Sequence, residues 1–425
     1  MIDIKLLREN PQKYQKAAID KRFDIDINKI LEIDSKLKNA KQELQDLITE
    51  KNKMGKSIPK LADDEKQKAL EHLSQLKQQE EEHNELIKQL QPEFDRLILE
   101  VPQPADDDVP IGKDDTENVE VKRVGEVRKF DFEPKDHVQL GAELDIIDIE
   151  RGVKLAGTRN YFLKGDGALL HWAVLRFAID FMSARGYVPM SVPVLVKDEA
   201  MIGTGFFPGA EEQTYQAERD QLNLVGTAEV PVTAYHKDEI LSIEQLPAKY
   251  VGLSSCFRRE AGAAGKDTYG LYRIHQFDKV EQVVVCENSV EESNKFHAEI
   301  VANSEGVLQA LELPYRVVVV CTGDLGRGQG KKFDIETWMP SRGNYCETHS
   351  ASKLYDFQAR RLNLRYKDPK TKKNLFCHTL NNTVIASPRI LIPLLELYQN
   401  KDGSITIPQV LRPYMSGRER IVGRK

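Results

Sequence analysis

The first quarter of the chain carries two hydrophobic stripes whose spacing leaves little choice of fold. From Ile30, apolar residues recur at Ile33, Leu37, Ala40, Leu44 and Leu47, in alternating steps of three and four. That alternation is the seam of a coiled coil. A second series runs Leu73, Leu76, Glu80, His83, Ile87, Leu90, Phe94, Leu97, Val101, with polar residues at Glu80 and His83. Between the two lies Met54-Gly55-Lys56-Ser57-Ile58-Pro59, a stretch expected to stop a helix. The expectation is an antiparallel α-helical hairpin, each arm roughly 45 Å or longer at about 1.5 Å per residue. From Lys21 to Glu100 there are 15 Lys/Arg against 18 Asp/Glu. Charge therefore does not separate a solvated coiled coil from a long probe for an extended partner. Lysines do gather near the turn, at Lys51, Lys53, Lys56 and Lys60.

The 425 residues carry 61 Lys/Arg and 67 Asp/Glu, a net charge of −6, which excludes a globally basic nucleic-acid coat but not a local basic track. Five cysteines are scattered at Cys256, Cys286, Cys321, Cys346 and Cys377, without a C-x-x-C pair. This argues against a zinc ribbon or a disulfide framework and for a reducing compartment. Met1 leads into a charged, helix-like stretch from Ile2 to Lys21, with no apolar signal region. No apolar run of about 18 residues follows, so no membrane span is expected and a cytoplasmic location is.

The Pro- and Asp-rich stretch from Pro102 to Glu120 reads as a linker, dividing the chain into 1–104 and 105–425. Beyond it the pattern is mixed. Helices are expected over Ala168–Arg185, Val290–Leu311 and Pro388–Gln399. Strand-like runs recur at Leu222–Val225, Tyr250–Phe257, Phe277–Val285, Tyr315–Cys321, Phe333–Trp338 and Phe376–Leu380. Gly186 to Leu195 reads as a strand holding Pro189 and Pro193, which points to an edge or an interface. No strict β-α-β alternation appears, so the second part is read as α+β, an antiparallel sheet flanked by helices.

Several segments place charge where the pattern asks for burial. Arg258 and Glu260, read as two apart on one strand, share a face and suit a ligand with phosphate and donor groups, such as ATP. A salt-bridged hairpin explains them equally. Thr227 and Glu229 suit a small polar ligand, the carboxylate taking an ammonium; an N-capping Thr before a helix is the plainer account. Glu281 is either a further ligand carboxylate or a paired surface residue. Glu347 and Ser350, three apart, both reach one magnesium ion, or else start a helix. Asn381-Asn382-Thr383 is placed between a strand and a helix, and Arg389 at that helix's start can hold a phosphate. The Gly323–Lys331 stretch fails as a phosphate loop, with Leu325 for the first Gly and Lys332 for Ser/Thr, and is read as a flexible loop.

Taken in order, these segments resemble a class II aminoacyl-tRNA synthetase of the seryl-tRNA synthetase family, over essentially the whole chain. The hairpin resembles the family's tRNA-binding arm. Gly186–Pro193 resembles motif 1, the dimer-interface strand. Phe257-Arg258-Arg259-Glu260 with the loop through Phe277 resembles motif 2, and Asn381–Arg389 motif 3. Thr227-Ala228-Glu229, Glu347–Ser350, Cys321–Asp324, Asp356–Arg361 and Arg412–Met415 match seryl-specific signatures. The resemblance departs at Asn381-Asn382-Thr383-Val384, where many bacterial members have Asn-Gly-Ser-Gly.

The resemblance implies an ATP-dependent serine–tRNA ligase. Its catalytic residues would be Arg258, Glu347 and Arg389. Thr227, Ala228, Glu229, Arg258, Glu281 and Thr383 would surround L-serine. Arg258, Arg259, Glu260, Ile274, Phe277, Glu347, Thr348, His349, Ser350 and Arg389 would bind ATP, with Mg2+ on Glu347 and Ser350 and no zinc. Implied partners are tRNA(Ser), with tRNA(Sec) as a second candidate, and a second copy in a homodimer. The loop Ala261–Tyr272 would touch the tRNA acceptor end. The basic tail Arg418–Lys425 reads as a disordered end.

Overall fold

The computed structural model describes residues 1–262 and 267–423. The chain divides into two compact units, Met1–Pro104 and Ala105–Lys425.

In the first unit, short helices α1 (Ile4–Glu9) and α2 (Pro11–Asp20) precede two long ones, α3 (Ile27–Ser57) and α4 (Asp63–Glu100). The side chain of Asp26 caps α3 by accepting from the Asn28 and Lys29 amides. The expected stripe is buried at Ile30, Ile33, Leu37 and Ala40, and half-buried at Leu44 and Leu47. The two polar seam positions of α4 find partners across it: Glu80 pairs with Lys51, and His83 Nε2 lies 3.4 Å from Glu43. The helix break falls later than expected. Gly55 is tolerated inside α3, which runs to Ser57; the chain turns through a 3-10 segment at Ile58–Lys60. Pro59 is the operative breaker, since it lacks an amide and restricts the residue before it. Three acidic residues, Asp63, Asp64 and Glu65, then open α4, favoured by its dipole.

The second unit is built on an eight-stranded sheet. In chain order its strands are β1 (Val119–Val124), β2 (Val188–Ser191), β3 (Ala248–Phe257), β4 (Gln276–Cys286), β5 (Tyr315–Val319), β6 (Lys331–Met339), β7 (Asn344–Tyr355) and β8 (His378–Ser387). Their spatial order is β1-β5-β6-β7-β8-β4-β3-β2. All neighbours are antiparallel except β2 and β3. The proline-bearing β2 is an edge strand, as its Pro189 requires. Helices α5 (His137–Glu143), α6 (Asp166–Ser183), α7 (Glu229–Thr233), α8 (Val290–Ala310) and α9 (Leu391–Leu397) complete the frame used below. Val280 and Val284 of β4 share the main core with Val174 and Phe177 of α6 and Ile300 and Leu308 of α8. Alternation along β4 sends Phe277, Lys279 and Glu281 to the other face.

Four expectations change here. The supposed linker is anchored: Asp106 pairs with Lys353 at 2.6 Å and accepts from Tyr355 at 2.7 Å, and Val119–Val124 forms edge strand β1. Its polar composition suits an exposed edge rather than a free tether. Gly323–Lys331 is ordered, with Gln329 donating to Ser352 Oγ at 2.7 Å. Asn381–Thr383 lies inside β8, not after it. The tail pairs as a two-stranded ribbon, Ile405–Thr406 with Arg420–Ile421, because Ile421 is fully buried; Arg424 and Lys425 lie outside the described residues. Among the described residues no helix is long and apolar enough to cross a membrane.

Candidate active site

A cleft of about 190 Å³ opens on the sheet face opposite α6 and α8. Its innermost polar groups come from adjacent strands. Glu281 of β4 is 2% exposed. It lies 2.6 Å from Lys279 Nζ and accepts from Thr383 Oγ1 of β8 at 3.1 Å. Glu229, at the start of α7, faces the same group. The Thr227 hydroxyl accepts from the Glu229 amide at 3.1 Å, just ahead of the helix, and lines the cleft at once. Gln358 orients the Glu229 carboxylate by donating to it at 2.8 Å, while accepting from Thr379 at 2.7 Å. Burial pushes the Glu229 carboxyl up to about 7, and the neighbouring Glu281 adds to the rise; Lys279, Gln358 and Arg258 oppose it. Glu281 is already matched by the Lys279 ammonium, while Glu229 has the neutral Gln358 as its hydrogen-bond partner.

The motif 2 pair sits differently from the strand picture. β3 ends at Phe257, and Arg258 and Glu260 follow it, Glu260 with φ of 54°. Both still line the cleft. Arg258 is fixed by amide and carbonyl bonds to His275, each 2.9 Å, and its guanidinium lies 5.1 Å from the centre of the Phe277 ring. Glu260 faces Arg273 at 3.4 Å. Ala263–Lys266 of this loop lie outside the described residues.

Two bulges decide which residues of β7 and β8 face inward. In the β6–β7 ladder Ile335 pairs with His349 but Glu336 with Glu347, so Thr348 is an extra residue. On a regular strand Glu347 and Ser350 would point to opposite faces; the bulge turns both into the cleft. In the β4–β8 ladder Val384 is likewise extra, which lets Thr383 and Ala386 share the cleft face. Burial would raise the Glu347 carboxyl, but Arg389, Lys332, Arg258 and Lys279 outweigh it and hold it below the usual carboxylate range. Arg389 donates to the Tyr272 carbonyl at 3.1 Å and the Glu347 carbonyl at 3.0 Å, with its guanidinium 4.4 Å from the Tyr272 ring centre.

Thr227, Glu229, Arg258, Glu260, Ile274, Phe277, Glu281, Glu347, Thr348, Ser350, Thr383 and Arg389 are thus brought to one cleft. Ala228, Arg259 and His349 are not. Ala228 is buried against Val232 and Val283. Arg259 is exposed, its amide bonded to the Gln213 carbonyl at 2.9 Å. His349 lies behind the bulge, where burial holds its ring down to about 4. Lys279, Gln329, Tyr272 and Arg273 line the cleft and escaped sequence reasoning. Lys279 was within reach of it, standing midway between Phe277 and Glu281 in the strand alternation. The bulky Asn382 of motif 3 faces away, accepting from Gln282 at 3.1 Å and from Ser304 of α8.

The cleft has four carboxylates (Glu229, Glu260, Glu281, Glu347) and four cations (Arg258, Arg273, Lys279, Arg389). No cluster of three or more His, Cys, Asp or Glu able to hold a metal occurs among the described residues.

Comparison with known proteins gives one answer along the whole length. The seryl-tRNA synthetase N-terminal domain matches residues 1–104, and the tRNA synthetase class II core domain (G, H, P, S and T) matches residues 212–398. The serine–tRNA ligase of Deinococcus radiodurans is 45% identical over 419 residues, covering 99% of this chain and 98% of the relative. The crystal structure of seryl-tRNA synthetase from Pyrococcus horikoshii complexed with ATP superposes with a TM-score of 0.94 at 36% identity, covering all of both chains. That of the cytoplasmic serine-tRNA ligase from Naegleria fowleri in complex with AMP gives 0.88 at 31%, covering 100% of this chain and 99% of the other. With both domain models matched and this identity across the whole length, the chain belongs to the seryl-tRNA synthetase family of class II aminoacyl-tRNA ligases.

Proposed function

We propose that this chain activates L-serine with ATP and transfers the seryl group to the 3′ end of tRNA(Ser). The observation that carries the reading is the half-buried Glu229 with the buried Glu281, Lys279 and Thr383, beside the arginine-lined half of the cleft. Glu229 takes the serine ammonium, and Glu281 with Thr383 takes its hydroxyl. Arg258 lies against the α-phosphate and the serine carboxylate, with adenine framed by Phe277, Ile274 and Glu260. Arg389 holds the γ-phosphate. The serine carboxylate attacks the α-phosphorus in line, the bond to the bridging oxygen breaks, and pyrophosphate leaves. Little proton transfer is needed, so alignment and charge neutralisation dominate. The tRNA 3′ hydroxyl then takes the seryl group and AMP leaves.

Glu347 and Ser350 fit a magnesium ion: both offer hard oxygens, and the arginines and lysines keep the carboxylate ionised. Such an ion neutralises phosphate charge when bound. Two protein ligands leave the remaining positions to phosphate and water, as Mg2+ prefers. Alanine in place of serine brings no hydroxyl to Glu281 and Thr383 and forfeits that buried hydrogen bond, a heavy penalty. Threonine has the hydroxyl and is refused on size.

The hairpin α3–α4 serves as the tRNA-reading arm, recognising shape more than sequence. tRNA(Sec) is a second candidate substrate. Edge strand β2, with Val188 exposed, and the exposed Trp172 of α6 are apolar surface that supports a homodimer. The chain's relatives being serine–tRNA ligases, enzymes of translation, supports a cytoplasmic setting. The test is serine-dependent ATP–pyrophosphate exchange, followed by charging of total tRNA. No exchange at millimolar serine sinks the proposal; exchange without charging points to another acceptor. Deleting Ile30–Val101 should spare exchange and abolish charging.

A further inference from the structure

His137 and Glu396 do not themselves line the cleft, yet both are buried polar residues in an apolar setting. Glu396 is fully buried on α9 among Leu391, Ile392, Leu394 and Leu395. An uncompensated carboxylate there would be costly. It is compensated by three donors from two other segments. Glu396 Oε1 lies 2.7 Å from His137 Nδ1 and accepts from the His137 amide at 3.1 Å, while Oε2 accepts from the Ser341 amide at 2.9 Å. The second ring nitrogen, Nε2, accepts from the Leu271 amide at 3.1 Å. Because Nε2 accepts, Nδ1 carries the ring proton and donates it to Glu396.

The bond to Leu271 is where this arrangement reaches the cleft. Leu271, Tyr272, Arg273 and Ile274 are four successive lining residues. The Tyr272 carbonyl holds Arg389. Immediately before them, Gly270 has φ of 70° and packs on the imidazole so closely that a Cβ would overlap Nε2. One residue earlier, the Tyr269 hydroxyl donates to Asp136, the cap of α5, at 2.9 Å. The returning arm of the motif 2 loop is therefore tied at successive points to the start of α5, and through His137 to α9.

We propose that His137 and Glu396 are positioning residues, a buried latch that sets the height of Leu271–Ile274 at the nucleotide end of the cleft. The inference rests on reading that end as the ATP site. The groups assigned to the serine ammonium and hydroxyl lie on β4, β8 and α7, to which neither His137 nor Glu396 is hydrogen-bonded. The latch therefore governs ATP and leaves serine alone.

The test uses the full chain with His137→Phe, which keeps ring size and removes both nitrogens, His137→Gln, whose carbonyl can still accept from Leu271, and Glu396→Gln. KM values for ATP and serine are measured separately by pyrophosphate exchange, alongside amide hydrogen exchange of peptides covering Asp267–Ile274 and α8. For H137F we expect the ATP KM to rise about tenfold, as for the loss of one buried hydrogen bond, with serine KM within about twofold. Protection should drop at Leu271–Ile274 while α8 stays protected. H137Q should recover part of both effects. Loss of protection throughout, equal changes in both KM values, or no change in either readout would overturn the latch. If H137F does not fold, E396Q, which keeps size and one acceptor, carries the same comparison. If the wild-type chain shows no serine-dependent exchange, the functional reading fails, and the hydrogen-exchange result still decides the latch.

Discussion

Glu229 is where the electrostatics of the cleft become measurable. Its carboxyl is raised from 4.5 to about 7, by burial first and by Glu281 second. The folded, ligand-free chain thus holds a proton that the unfolded chain releases above its ordinary value. Glu229 accordingly favours folding below that value, and the contribution is lost as pH rises toward 7. Serine binding has the opposite sign, since only the ionised carboxylate attracts the ammonium. Between pH 6 and 8 the ionised fraction of such a group rises about tenfold, and the apparent serine KM should fall about tenfold with it. Glu229→Gln keeps the acceptor for Gln358 but removes the charge. Losing a charge-assisted bond of about 1.5–3 kcal/mol should raise the serine KM roughly 10- to 150-fold, flatten its pH dependence, and leave ATP KM unchanged. The assay is pyrophosphate exchange with serine titrated at each pH. A wild-type serine KM flat from pH 6 to 8, or an E229Q variant that keeps the slope, would refute the assignment of the ammonium to Glu229.

Thr383→Val removes the hydroxyl that donates to Glu281. Serine kcat/KM should fall about 5- to 150-fold while Thr383→Ser stays near wild type, as read by serine-dependent exchange. Arg389→Lys keeps the charge but loses the fork that spans the Tyr272 and Glu347 carbonyls; kcat/KM for ATP should drop about 100-fold or more, with serine KM little changed. Asn382→Gly strips partners from Gln282 and Ser304 on the far side of the sheet. It should cost about 2–4 kcal/mol in denaturant unfolding while serine KM moves less than about twofold.

Much of this was legible along the chain. The heptad stripes of α3 and α4 mark their own partners, because a seam repeating every three and four residues can be buried only against another helix. Lys279 was readable too, since β4 alternates regularly there. The cleft residues that lay in short motifs were likewise recognisable as chemistry, although not as geometry. Ala228, Arg259 and His349 belong to those same motifs and yet face elsewhere, because a motif records neighbours in sequence while a cleft collects one face of each element.

What tertiary structure alone decided is direction. Thr348 and Val384 are extra residues only relative to the strands they pair with, so no local pattern announces the bulges that bring Glu347 beside Ser350 and align Thr383 with Ala386. Asn382 looked bulky for its place until the sheet turned it toward Ser304. The Pro- and Asp-rich stretch after residue 104 and the basic tail looked free because their order depends on distant partners, Lys353 and Tyr355 for one and Ile405 for the other. Local periodicity determines which elements form; ladder register and long-range partners determine which side chains meet, and the proposed chemistry depends on the second.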